Sequence, residues 1–159
     1  TGRMETLVSG PMHSQCAIGA GGARIAFSRI PDPLTDEEFD DLVEVGPLPL
    51  LETKLCVLDT TTHSVTTLTN AACHDLPRAF LSSDVILYSR QTDEHTQLRA
   101  CRVDGPDDRP IGGEHQGEIP FVFVREREVV YFTQGADGVK LRTGRTDGTG
   151  NRIVWEYPE

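Results

Sequence analysis

The chain has 159 residues, 37% hydrophobic and 25% charged, with a formal net charge of −10. That is enough chain for one domain with a real core, and the balance speaks against disorder. The acidity argues against nucleic acid or an anionic lipid surface as partner, and no apolar run approaches the roughly 20 residues of a spanning helix, so no membrane insertion is expected.

The opening TGRMETLVSG lacks the apolar h-region of a signal peptide. It reads either as a scar ahead of Met4 or as a cut inside a longer chain; a periplasmic or secreted location fits the latter, and the compartment stays open. The segment METLVSGPMHSQC aligns with TTLTNAACHDLPR, which predicts an N-terminal strand remnant ahead of the first complete unit.

From there the chain reads as three copies of one unit. The first strands are QCAIG, PRAFL and PFVFV, and the second strands are ARIAFSR, DVILYSR and EVVYFTQ, with Phe27, Tyr88 and Phe132 in register. The third strands are LCVLD, ACRVD and TGRTD, with Asp59, Asp104 and Asp147 in register. SVTTLT, RPIGG and NRIVW follow as the fourth. These runs alternate with period two and are rich in β-branched and aromatic residues, as short strands require. The second and third copies recur at 43 to 44 residues, and the first and second at 61 because the first carries an extra segment; without it the period suits a four-stranded propeller blade. The expected blades cover about 13–69, 76–113 and 119–156 of a single domain spanning 1–159. The expectation is therefore an all-β, β-propeller-type fold of about three four-stranded antiparallel blades plus the strand remnant.

Turn chemistry supports the unit. Asp-Gly at 104–105 and 147–148 pairs a turn residue with one that accepts positive φ, and DTTTH does the same work less tightly in the first copy. GAGG precedes a strand rather than opening a helix, so it is a turn and no phosphate loop.

The first copy carries an insertion, PDPLTDEEFDDLVEVGPLPL, at 31–50. Between Asp32 and Glu44 it holds seven acids and no base. Thr35 reads as an N-cap with acids in the first turn of a short helix. Asp36, Glu37, Glu38, Phe39, Asp40 and Asp41 are the candidate binding residues, an arm for a basic partner or a neighbouring subunit; a solvated helix pinned to the disc is the plain alternative. The segment lacks EF-hand spacing.

Strand order places this second–third loop on the same face as the blade linkers. Each linker carries a histidine, His13, His74 or His115, and His95 joins that face while His63 lies opposite. Three imidazoles toward a common rim would suit a divalent metal; the plain alternative is a histidine that hydrogen-bonds at a blade junction. Of the four cysteines none forms CxxC. Cys56 and Cys101, each three residues before the blade aspartate, are expected as buried unbridged thiols, since stacked sheets lie ~10 Å apart. Asp107–Asp108 and Glu126/Glu128 are expected as solvated pairs. Trp155 is expected to pack within an outermost strand. GxSxG, HExxH and the P-loop are absent.

RIAFSR, CVLDTTTHSVTTLT and RTDGTGNRI resemble the repeat of TolB-like (WD40-like) β-propellers, and the likeness covers nearly the whole chain. The family's Ser-Pro-Asp-Gly turn is replaced by GAGG, SSD and RERE. Oligogalacturonate lyases, with a similar propeller, hold a metal among histidines near the channel, which is what the resemblance implies for the histidines here. Three blades do not close a ring. Either the chain is a sector of a longer propeller, or two copies associate head-to-tail. The function expected is a non-enzymatic binding or scaffold module without cofactor, presenting the 31–50 face to a protein partner, its ring completed by that partner or a second copy. The alternative is a metal-assisted lyase or hydrolase acting on a saccharide or peptide at the channel.

Overall fold

The structure is a computed structural model and describes residues 12–31, 35, 52–70, 72–105, 107–136 and 138–157, with the side chains at 12–14 outside the description. The candidate arm residues at 36–41 and the proposed strand remnant lie outside the described residues.

Three four-stranded antiparallel sheets are formed, each a meander of consecutive strands. The first holds β1 (Met12–Ile18), β2 (Arg24–Arg29), β3 (Lys54–Asp59) and β4 (Val65–Thr67). The second holds β5 (His74–Phe80), β6 (Val85–Gln91), β7 (Thr96–Arg102) and β8 (Arg109–His115). The third holds β9 (Val122–Arg125), β10 (Glu128–Gly135), β11 (Gly138–Arg145) and β12 (Arg152–Tyr157). Among the described residues the only helical element is a 3-10 turn at Ala20–Gly22, between β1 and β2.

The sheets stack flank to flank, and the core lies between them. Ala26, Leu55 and Val57 of the first sheet meet Ile86, Tyr88 and Cys101 of the second. Leu87, Leu98 and Ile111 on the second sheet's other flank meet Val129 and Tyr131 of the third, with Ile119 between them. Because successive strand residues point to opposite flanks, a strand such as VILYSRQ serves both interfaces: Ile86 and Tyr88 face back, Leu87 faces forward. This two-sided burial is why the central strands are apolar almost throughout.

Pairing corrects the sequence register. Phe27 lies opposite Cys56, Tyr88 opposite Arg99 and Tyr131 opposite Arg142. Phe27 and Tyr88 face the preceding flank of their sheets, and in the third sheet Tyr131, not Phe132, does so. A slip of one residue reverses the flank, so Phe132 points the other way. Among the aspartates, Asp104 and Asp147 are equivalent, each following the residue whose N–H closes the hairpin onto Asp84 or Arg127. Asp59 sits two positions earlier, directly opposite Arg24. Cys56 is consequently equivalent to Arg99, and Cys101 to Leu58. Both thiols are nonetheless buried and free.

The turns also differ from one another. Gly148 takes the left-handed conformation at φ 89, while the Asp147 carboxylate accepts from the Thr149 N–H and hydroxyl at 2.9 and 2.6 Å. Gly105 does not adopt positive φ, contrary to the expectation from its Asp-Gly pair. In DTTTH the left-handed position falls on His63 at φ 57, and Asp59 accepts the N–H groups of Thr61 and Thr62, both at 2.9 Å.

Candidate functional site

Three regions of the described chain carry unusual chemistry. The first is a polar network inside the junction of the first two sheets. Asp75, at the start of β5, is fully buried, and its carboxylate accepts from Arg90 Nε and Nη2 at 2.9 and 3.0 Å. Its carbonyl accepts from Ser28 Oγ at 2.6 Å and Thr53 Oγ1 at 3.0 Å, which ties the first sheet to the second. Asp108 accepts from Tyr88 at 2.7 Å, Arg99 at 2.8 Å and Arg90 at 3.2 Å. Burial pushes the Asp108 carboxyl up, but the Arg99 and Tyr88 hydrogen bonds outweigh it and hold the group below its ordinary range. Burial, seconded by the bond to Asp108, raises the Tyr88 phenol well above its usual value. The Asp75 hydrogen bonds raise Arg90. Asp107 and Asp108 are both exposed, as expected, but the Asp108 carboxylate, at 32% exposure, also anchors three side chains. The sequence hid this because the partners come from three strands and a loop.

The second region concerns the histidines. His74 opens β5 and His115 closes β8, so both lie in strands and not in linkers. They share one row across the second sheet, His74 opposite Gln91, Gln91 opposite Thr96 and Thr96 opposite His115. Three strand spacings put their backbones ~14 Å apart, too far for one ion bound at ~2.1 Å by each ring. The structure thus does not bring these two candidate ligands together, and the His13 side chain lies outside the description. Among the described residues no group of three or more His, Cys, Asp or Glu is placed to hold a metal ion. Each imidazole engages a junction instead: His115 Nε2 lies 3.3 Å from the Tyr131 hydroxyl and His74 Nδ1 3.5 Å from Thr53 Oγ1. His95 meets Glu114 at 3.5 Å.

The third region is the outer flank of the third sheet. Since Val129 and Tyr131 face inward, Val130 and Phe132 face away, and the pairing carries Phe123, Leu141, Trp155 and Tyr157 to the same side. Phe121 is 61% exposed, Phe123 59%, Trp155 49% and Tyr157 63%. Phe121 meets Phe132 edge-on at 6.4 Å, and Trp155 stacks on Tyr157 at 6.0 Å. Trp155 does lie in an outermost strand, but it belongs to an open aromatic row. On the opposite end of the stack Phe27, Cys56 and Leu58 form a buried cluster. The row was readable in part, since PFVFV and VWEY are aromatic, but not the flank it faces.

Stacked four-stranded meanders with cores between neighbouring sheets define a sector of a β-propeller, and its fold is TolB-like. The structure is similar to a TolB-designated protein of Agrobacterium tumefaciens, at TM-score 0.66 and 15% identity over 93% of this chain and 50% of the other. TolB of Acinetobacter baumannii matches at TM-score 0.62 and 9% identity, covering 96% and 35%. A chain of a nidogen/laminin complex matches at 0.60 and 13%, covering 89% and 47%. The chain thus spans half or less of each of these proteins. No sequence family model matches it, and no curated relative matches in sequence.

Proposed function

We propose that this chain is a non-enzymatic β-propeller module that binds a protein partner, with the outer flank of the third sheet as the main contact and the 31–50 insertion of the first sheet as a separate, second contact. The carrying observation is the open row of Phe121, Phe123, Trp155 and Tyr157. The equivalent flanks inside the stack are sealed by a neighbouring sheet, and fully burying one such side chain contributes about 1.5–3 kcal/mol. Exposed apolar surface of this kind is characteristic of interaction sites. The nidogen/laminin complex is a case in which a protein of similar fold is found with a protein partner.

A head-to-tail second copy fits this surface less well than a different protein does. It would have to dock against the far flank of the first sheet, where Phe27, Cys56 and Leu58 are already buried. The 31–50 insertion leaves the fold between β2 and β3, so the acidic arm of Asp36, Glu37, Glu38, Phe39, Asp40 and Asp41 would approach from the linker face.

The test is capture of a defined partner by the chain, compared with the Phe123→Ser/Trp155→Ser double variant and a 31–50 deletion. A partner lost from the double variant supports the flank, and one lost from the deletion supports the arm. Retention in both variants, or turnover of a saccharide or peptide with stoichiometric bound metal, would overturn the reading.

A further inference from the structure

Arg78 on β5 is placed differently from the arginines of the Asp75–Asp108 network. Its Nε donates to Ser89 Oγ at 3.0 Å and its Nη1 to Gln15 Oε1 at 3.1 Å. Both partners are neutral, and among the described residues no carboxylate lies within ion-pair distance of it. Among the described residues the rest of its N–H fork has no acceptor. Burial pulls its pKa below the usual arginine value, and the field of Glu118 acts against that pull. A partly buried guanidinium without a counter-charge is costly unless something compensates it.

The side chain borders a cavity of about 320 Å³ on the inner edge of the second sheet, next to the segment leading into β9. Leu76 and Ile119 give it an apolar wall, and Gln15 reaches in from the first sheet. Glu118 lines the same cavity. The Glu118 backbone is fixed by paired hydrogen bonds with Gln134, at 2.8 and 2.9 Å. One cation and one anion therefore share the cavity without touching. A simple anion would meet Arg78 but be repelled by Glu118, and a simple cation the reverse. A dipolar solute satisfies both, and the cavity is large enough for a small ligand.

We propose that this cavity binds an α-amino acid with an apolar side chain, its carboxylate on Arg78, its ammonium toward Glu118 and its side chain against Leu76 and Ile119. The site is independent of the protein-binding flank. Titration of the chain by calorimetry and NMR would use three probes of one carbon skeleton: leucine, 4-methylpentanoate (no ammonium) and isoamylamine (no carboxylate). Leucine should bind saturably and both analogues more weakly. Arg78→Met and Glu118→Gln should each weaken leucine by about tenfold, as expected for losing a charge-assisted contact. Replacing the cation by an apolar side chain of similar length keeps the fold, which circular dichroism checks, and Glu118 is a surface carboxylate whose variant folds regardless. Three results would overturn the proposal: no saturation by leucine in the unmodified chain, 4-methylpentanoate binding as tightly as leucine, or leucine affinity unchanged in Glu118→Gln.

Discussion

Arg90 holds the carboxylate of Asp75 in a two-pronged grip, Nε to Oδ1 at 2.9 Å and Nη2 to Oδ2 at 3.0 Å, with the Asp75 side chain wholly shielded from solvent. The pair sits where two separate sheets must be joined, and the Asp75 backbone also accepts two hydroxyls from the first sheet's side of the junction. Removing Asp75 takes both prongs from Arg90 and leaves it, among the described residues, only the 3.2 Å hydrogen bond to Asp108. Asp75→Ala should therefore cost about 3–5 kcal/mol, read as a lowered urea midpoint. A loss near zero would mean that the pair does not hold the junction.

Acid should loosen the same junction through Asp108. Its folded pKa is depressed below the unfolded value, so its contribution is fully present above the ordinary aspartate range and disappears as pH falls through the folded value. Between about pH 5 and pH 2 the chain should lose stability more steeply than Asp108→Asn does. Urea midpoints across that range decide it, and parallel curves would refute the assignment.

The alkaline side belongs to Cys101. Burial, the leading cause, pushes its thiol up to about 12, and the fields of Asp108 and Asp75 add to it. A raised acid contributes stability that is intact below the unfolded pKa and lost as pH rises toward the folded one. From about pH 8.5 upward, the thiol should make stability fall by up to ~1.4 kcal/mol per pH unit. Cys101→Ala should start lower, because it leaves a cavity, yet fall less steeply. Equal slopes in thermal unfolding at pH 8 and pH 10 would show that the thiol does not titrate in this way.

Gly117 fixes the passage from the second sheet to the third. Its φ is 86, and a Cβ there would overlap the Gln134 carbonyl. Thr96 Oγ1 donates to its carbonyl. Gly117→Ala should cost at least ~2 kcal/mol, since left-handed backbone alone costs about 1–2 kcal/mol. At Gly113 the nearest atom to a Cβ is His115 Cε1 at 3.7 Å, and Gly113→Ala should be far milder. Similar thermal midpoints for the two variants would contradict the overlap.

Strand content, the number of sheets and the Asp147–Gly148 turn follow from the sequence, because period-two alternation and turn residues are local properties. RIAFSR, VILYSR and VVYFTQ could not be other than strands. Their relative register could not be read, because Tyr131 and Phe132 are both aromatic and only pairing with Arg142 or Leu141 decides which flank each faces. The same limit hid the open row: its aromatics are visible in PFVFV and VWEY, but exposure depends on whether another sheet stacks there. Asp108 is a loop acid whose anchoring role appears only once two strands bring Tyr88, Arg90 and Arg99 to it. The histidines looked convergent because loops seemed to carry them, whereas strand pairing spreads His74 and His115 across a sheet. Local sequence set the elements; stacking set which side chains meet, since burial and charge pairing act between residues distant in the chain.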